Sequence, residues 1–173
     1  MKIGIIGSGN IGGTLTRRLT ALGHDVTVAN SRGPRSLEGL AAETGATAGT
    51  VEQALDGADL VAIAIPVKAV PDLPDLTGRV VVDANNYYPA RDGRIDAIEG
   101  GMTSARWTAE QTGATVVKAF NTILAQHLLE NGLPQGRARQ DRAPRGRRRR
   151  RREAHRDGPD RSHGLRRHRR RRP

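Results

Sequence analysis

The sequence predicts an α/β fold on a doubly wound parallel sheet of six strands, and three observations carry that expectation. Short apolar runs alternate with helix-compatible segments from Lys2 to about residue 130. The first run, Ile3 to Ile6, enters a glycine loop and then a helix-compatible segment, Ile11 to Leu22. A later run, Leu60 to Ile65, is apolar throughout, as in a strand buried on both faces. Such alternation gives right-handed crossovers and the strand order 3-2-1-4-5-6, with the ligand site across the switch point.

The glycine loop comes first because each glycine has a mechanical task. Gly7, Gly9 and Gly12 have the spacing G-x-G-x-x-G within KIGIIGSGNIGG. Gly7 allows the tight turn, Gly9 lets the backbone approach a pyrophosphate, and Gly12 lets the helix pack close to the strand. Phosphates then meet the free N–H groups and the positive dipole end of the helix. This is the strand, loop and helix of a Rossmann dinucleotide site.

Gly23-His24 reads as a turn, and Asp25 to Ala29 as the second strand. About 20 residues beyond the loop, an NAD-binding chain places an acid against the ribose 2′-hydroxyl. Here the stretch is Asn30-Ser31-Arg32-Gly33-Pro34-Arg35. With no acid to repel it, a 2′-phosphate can be held by the Arg32 guanidinium, the Ser31 hydroxyl and Arg35, which favours NADP(H) over NAD. The alternative is a polar turn with solvated arginines.

Ser36 to Thr44 reads as a helix capped by Ser36 and stopped at Gly45. Ala46 to Ala48 follows as a short strand, and a helix capped by Thr50 ends at Gly57. Pro66 closes the Leu60–Ile65 strand, which places Ile65 and Pro66 at the carboxyl edge of the sheet, where such folds bind ligands. Only a short helix around Lys68 to Val70 fits between there and the next strand, Arg79 to Asp83. The loop Ala84 to Pro89 holds Asn85, a hydrogen-bond partner for ribose or nicotinamide or a plain turn residue. Its Tyr87 and Tyr88 either stack on a flat ring or pack partly into the core. Arg91 to Gly101 reads mostly as loop, Ser104 to Gln111 as a helix with Trp107 in a packing role, and Thr115 to Ala119 as the sixth strand. Lys118, unusual on a buried strand, reads as a cofactor contact or half of a charge pair. Ile123 to Leu129 is an apolar helical stretch.

Composition divides the chain in two. Its net charge is +11, yet residues 137–173 contain 18 Arg against Asp141, Glu153, Asp157 and Asp160, so residues 1–136 are mildly acidic. There is no cysteine, which excludes disulfides, thiolate metal sites and a catalytic thiol. No apolar run approaches the roughly 20 residues of a membrane span, and no signal-peptide pattern precedes the first strand. The expected location is the cytoplasm, with no membrane partner.

Over residues 1–133 the chain resembles the NADPH-dependent coenzyme F-420 reductases, the NADP oxidoreductases of the 8-hydroxy-5-deazaflavin coenzyme. IGIIGSGNIGG, Asn30-Ser31-Arg32, Ala64-Ile65-Pro66, Asp83 to Pro89 and Lys118 to Thr122 carry the resemblance. The oxidoreductase domain of six-transmembrane metalloreductases is similar too, especially around Lys118 to Asn121, which leaves an NADPH-binding module of that kind, or one without catalysis, as an alternative. The resemblance implies that Ser8, Gly9, Asn10 and Ile11 hold the pyrophosphate, that Ser31, Arg32 and Arg35 hold the 2′-phosphate, and that Ile65, Asn85 and Ala119 line the nicotinamide side. It implies hydride transfer between NADP(H) and a deazaflavin co-substrate, which needs proximity and ring alignment rather than a protein acid or base, so no catalytic residue and no metal ligand are expected. Family members continue past the sixth strand with elements that complete the deazaflavin pocket and much of the subunit contact of a homodimer.

Residues 134–173 depart from that pattern. The segment 137–173 lacks Val, Ile, Phe, Tyr, Trp, Met, Thr, Asn and Lys, so it cannot bury a core and is expected to be disordered. One reading is a basic arm that binds nucleic acid through phosphate neutralisation, although it has no aromatic for base stacking. The other, favoured here, is an out-of-frame translation beginning near residues 134 to 138. Arginine codons of the form CGN, shifted by one base, become codons for Ala, Gly, Asp or Val, and a shifted reading of residues 145–160 yields a Gly-Asp-Asp turn and an amphipathic helix. The chain would then be a truncated reductase.

Overall fold

The computed structural model describes residues 1–131; the expectations for residues 134–173 lie outside the described residues. Six parallel strands, β1 (Lys2–Ile6), β2 (Asp25–Ala29), β3 (Thr47–Gly49), β4 (Leu60–Ile63), β5 (Val80–Asp83) and β6 (Thr115–Lys118), form one sheet in the order β3-β2-β1-β4-β5-β6. This is the order the alternating pattern predicts. Among the described residues, seven α-helices accompany them: α1 (Asn10–Ala21), α2 (Glu38–Thr44), α3 (Val51–Leu55), α4 (Pro89–Asp92), α5 (Asp96–Glu99), α6 (Ser104–Thr112) and α7 (Ala125–Glu130).

Strand alternation sorts the core into two faces. Ile3 and Ile5 of β1 join Val26 and Val28 of β2 beneath Leu15 of α1 and Leu37. On the other face Ile6, Val61, Ile63 and Val81 pack with Leu55 of α3, Leu76 and Ala114. Each such side chain contributes about 1.5–3 kcal/mol on full burial, so these alternating positions hold the sheet's layers together. Gly4 permits one of the closest contacts: a Cβ there would run into the Ala54 carbonyl, so α3 lies directly on β1.

Several boundaries differ from the sequence reading. Ser36 does not cap a helix; it lies inside a 3-10 turn, Pro34–Leu37, and its hydroxyl bonds to the Gly33 carbonyl at 2.7 Å. The segment 91–101 is not mostly loop, since α4 and α5 are single turns, too short to leave a periodic pattern. β4 ends at Ile63 rather than Ile65, where the chain leaves the ladder to form the cleft wall. The Thr50 cap is present and is a full capping box with Gln53. Trp107 is buried beside Val67 and Val70, a packing role.

Candidate dinucleotide site

The carboxyl ends of β1, β2, β4 and β5 meet at two adjoining clefts that share Gly9, Ala64, Ile65 and Pro66. The larger, about 470 Å³, runs from Gly7–Gly9 to Asn30, Ser31 and Arg32. The smaller, about 330 Å³, is lined by Asn10, Ile11, Asn85, Asn86, Tyr88 and Arg91. The structure therefore brings Gly7, Ser8, Gly9, Asn10, Ile11, Ser31, Arg32, Ile65, Pro66 and Asn85 to one continuous edge. Arg35 is exposed on the 3-10 turn and Ala119 follows β6; neither lines these clefts.

The glycines divide their tasks as the spacing predicts. Gly7 has φ +110° and a Cβ on it would strike the Ala64 carbonyl, while a Cβ on Gly12 would strike the Gly7 carbonyl. Gly9 lines both clefts and has a clear space where its Cβ would be, so the packing of the fold does not require a glycine there. Gly9 is also the N-cap of α1, with no side-chain cap and no acid in the first turn. The first-turn N–H groups and the positive helix end therefore face the cleft unscreened, as an anion requires.

Asn30, at the end of β2, organises the wall beside them. Its side-chain amide donates to the Ser8 hydroxyl at 2.9 Å and to the Ser36 hydroxyl at 3.0 Å, and its carbonyl oxygen accepts the Arg32 N–H at 2.9 Å. One side chain thus ties the glycine loop to the Ser31-Arg32 turn. The sequence reading placed Asn30 in that turn without a role; the signal was its position directly after β2, where a ribose-binding acid would otherwise stand. Arg32 also lines a third cleft, about 650 Å³, between α1 and α7. Arg17 in that cleft is held by Glu43 at 2.6 and 2.7 Å, and the bonded guanidinium keeps the Glu43 carboxyl below its ordinary value. Arg32 has no carboxylate at ion-pair distance among the described residues, which leaves its fork open to a ligand.

At the other end Asn85 is buried, and its carbonyl oxygen accepts the Ile65 N–H at 2.8 Å. Its amide nitrogen is buried too and finds no acceptor among the described residues. A buried donor without a partner costs about 1–3 kcal/mol, and a ligand oxygen in the cleft that Asn85 lines would relieve that cost. The two tyrosines part company. Tyr87 packs against the Trp107 cluster and bonds Glu99 at 2.9 Å, whereas Tyr88 is 53% exposed, lines the smaller cleft and has the Arg91 guanidinium 5.1 Å from its ring centroid. Arg91 is bidentate to the buried Asp92 at 3.0 and 2.8 Å. Among the described residues, no His, Asp and Glu cluster is placed to hold a metal ion, and no helix is long and apolar enough to cross a membrane.

Residues 2–87, which contain the glycine loop, Arg32, Ile65 and Asn85, match the family model described as NADP oxidoreductase, coenzyme F420-dependent. The N-terminal half of this chain belongs to that family. A hypothetical protein from Sinorhizobium meliloti of known structure is 38% identical, with a TM-score of 0.64, over 75% of this chain and 65% of that one. An Arthrobacter sp. FB24 protein, provisionally described as an F420-dependent NADP-reductase, is 22% identical with a TM-score of 0.60 over 76% of this chain and 68% of that one, a likeness of fold. Erythronate-4-phosphate dehydrogenase of Salinibacter ruber is 40% identical over 79 residues, 46% of this chain and 19% of that protein. The chain thus spans about a fifth of that curated relative. The F420-dependent family match ends at Tyr87, in sequence between the cleft residues Asn86 and Tyr88.

Proposed function

We propose that this chain binds NADP(H) along the two clefts and serves hydride transfer to or from a deazaflavin coenzyme of the F-420 type. The observation that carries the reading is Arg32, without a carboxylate at ion-pair distance among the described residues and set beside Ser31 at the end of β2, in one cleft with Gly7, Ser8 and Gly9. The first turn of α1 would hold the pyrophosphate, Arg32 and Ser31 the 2′-phosphate, and Asn85 with Ile65 the nicotinamide end. Bound NADPH supplies the hydride. The residues orient the ring and shield it, and Tyr88, exposed at the lip of the smaller cleft, is the flat surface available to an aromatic acceptor. The Arg32→Ala chain tests the assignment: NADPH is expected to weaken far more than NADH, and equal loss of both would sink it. Reduction of a deazaflavin by NADPH, monitored by its absorbance, tests the acceptor.

The deazaflavin pocket, a homodimer contact and a cytoplasmic location all belong to this proposal. So does the origin of residues 137–173, whose 18 arginines also suit a polyanion-binding arm. Nucleotide sequencing through codons 130 to 173 separates the two: an alternative frame without stops and with an amphipathic continuation supports truncation by frameshift. If the frame is genuine, salt-sensitive DNA binding that disappears on deletion after Gly136 supports the arm.

A further inference from the structure

We infer that Lys118 and Asp83 form a positioning pair for the nicotinamide end of the site, acting through Asn85 and Ile65. The inference rests on the NADP(H) reading above. Neither residue lines the smaller cleft, yet both control a wall of it. Asp83, at the end of β5, is fully buried. One carboxylate oxygen accepts the Asn85 N–H at 2.9 Å. The other accepts from Lys118 Nζ at 2.9 Å and from the Thr108 hydroxyl at 3.2 Å. Lys118 Nζ also donates to the Ser104 hydroxyl at 3.1 Å, which ties α6 to the same point. Asn85 in turn accepts from Ile65 N–H at 2.8 Å.

The bonds therefore run in series across three strand ends, from β6 through β5 to the end of β4. They fix the backbone and side chain of Asn85 together, and the remaining Asn85 donor is the one left without a partner among the described residues. A buried carboxylate with its cation removed is strongly destabilising where it stands, and Asp83 would relieve this by turning or drawing in water. Either movement displaces the Asn85 N–H that it holds. The far end of the site, at Arg32, shares no bond with this series.

That separation gives the test. NADP⁺ spans both ends, whereas adenosine 2′,5′-bisphosphate carries the adenine, the 2′-phosphate and the first phosphate of the pyrophosphate but nothing of the nicotinamide end. In Lys118→Met the affinity for NADP⁺ is expected to fall about tenfold, the scale of one charge-assisted hydrogen bond, with the bisphosphate changed by less than about twofold. In Asp83→Asn/Lys118→Met the charge is removed from both partners while an acceptor for Asn85 N–H remains, so NADP⁺ affinity is expected to recover. If Lys118→Met does not fold, Lys118→Arg, which keeps the charge but moves it, is expected to show a smaller loss confined to NADP⁺. Equal weakening of both ligands, or no change in either, overturns the positioning role. Failure of the unaltered chain to bind either ligand instead overturns the NADP(H) reading itself.

Discussion

The side-chain amide of Asn30 donates to the Ser8 hydroxyl at 2.9 Å, joining the end of β2 to the glycine loop that follows β1. The same residue accepts the Arg32 N–H, so the glycine loop and the Ser31-Arg32 turn are set by one side chain. Asn30→Ala is expected to leave the sheet intact and to weaken NADPH about tenfold, the value of one or two lost hydrogen bonds. Fluorescence titration with a parallel thermal melt checks this; an unchanged affinity contradicts it.

Ser31→Asp places an acid where a ribose 2′-hydroxyl would be recognised and a 2′-phosphate repelled. The ratio of NADPH to NADH affinity is expected to fall by at least about tenfold, from charge repulsion beside Arg32. Titration with both cofactors reads the ratio directly, and a constant ratio would place the 2′-phosphate elsewhere.

Gly9 and Gly12 are expected to fail in different ways. Gly12→Ala drives a Cβ into the Gly7 carbonyl and is expected to cost about 1–3 kcal/mol of stability, visible as a lower melting temperature. Gly9→Ala meets nothing in the fold and has an ordinary φ of −71°, so its melting temperature should hold while NADPH binding falls. Equal melting losses in both variants would remove the distinction.

Asp92 couples acid stability to the cleft wall. Burial raises its pKa, but the Arg91 guanidinium and the Tyr88 N–H, bonded at 2.9 Å, outweigh burial and hold the carboxyl below its ordinary value. A lowered folded value means that its stabilisation is complete above the unfolded pKa of about 3.9 and is lost as pH falls through the folded value. Asp92→Asn is expected to cost about 1–3 kcal/mol at neutral pH and to converge with the unaltered chain in acid. Urea melts across that range measure it, and a gap that widens in acid would reverse the sign.

How much of this was legible in the sequence depended on whether a feature is local. The strand order followed from alternation, and the Gly7 turn and the Gly12 contact with the Gly7 carbonyl were legible because both are local, whereas the approach of Gly7 to Ala64 was not. The single-turn helices α4 and α5 escaped because four residues do not complete a period. Asn30, Asn85 and Lys118 were visible as polar residues at strand ends, but their partners lie 22, 20 and 35 positions away, so only the assembled sheet joins them. Gly4 gave no sign of its contact with Ala54, since a glycine inside an apolar strand has many uses. Tyr87 and Tyr88 were indistinguishable by type; strand-end geometry sends one to the core and the other to the cleft.

The most direct measurement is a titration of the full chain with NADPH and, separately, NADH. An Arg32 fork with no carboxylate at ion-pair distance among the described residues, and no acid directly after β2, predict NADPH binding at least about tenfold tighter than NADH, the scale of a charge-assisted contact. Equal affinity for the two, or binding of neither, would contradict the account.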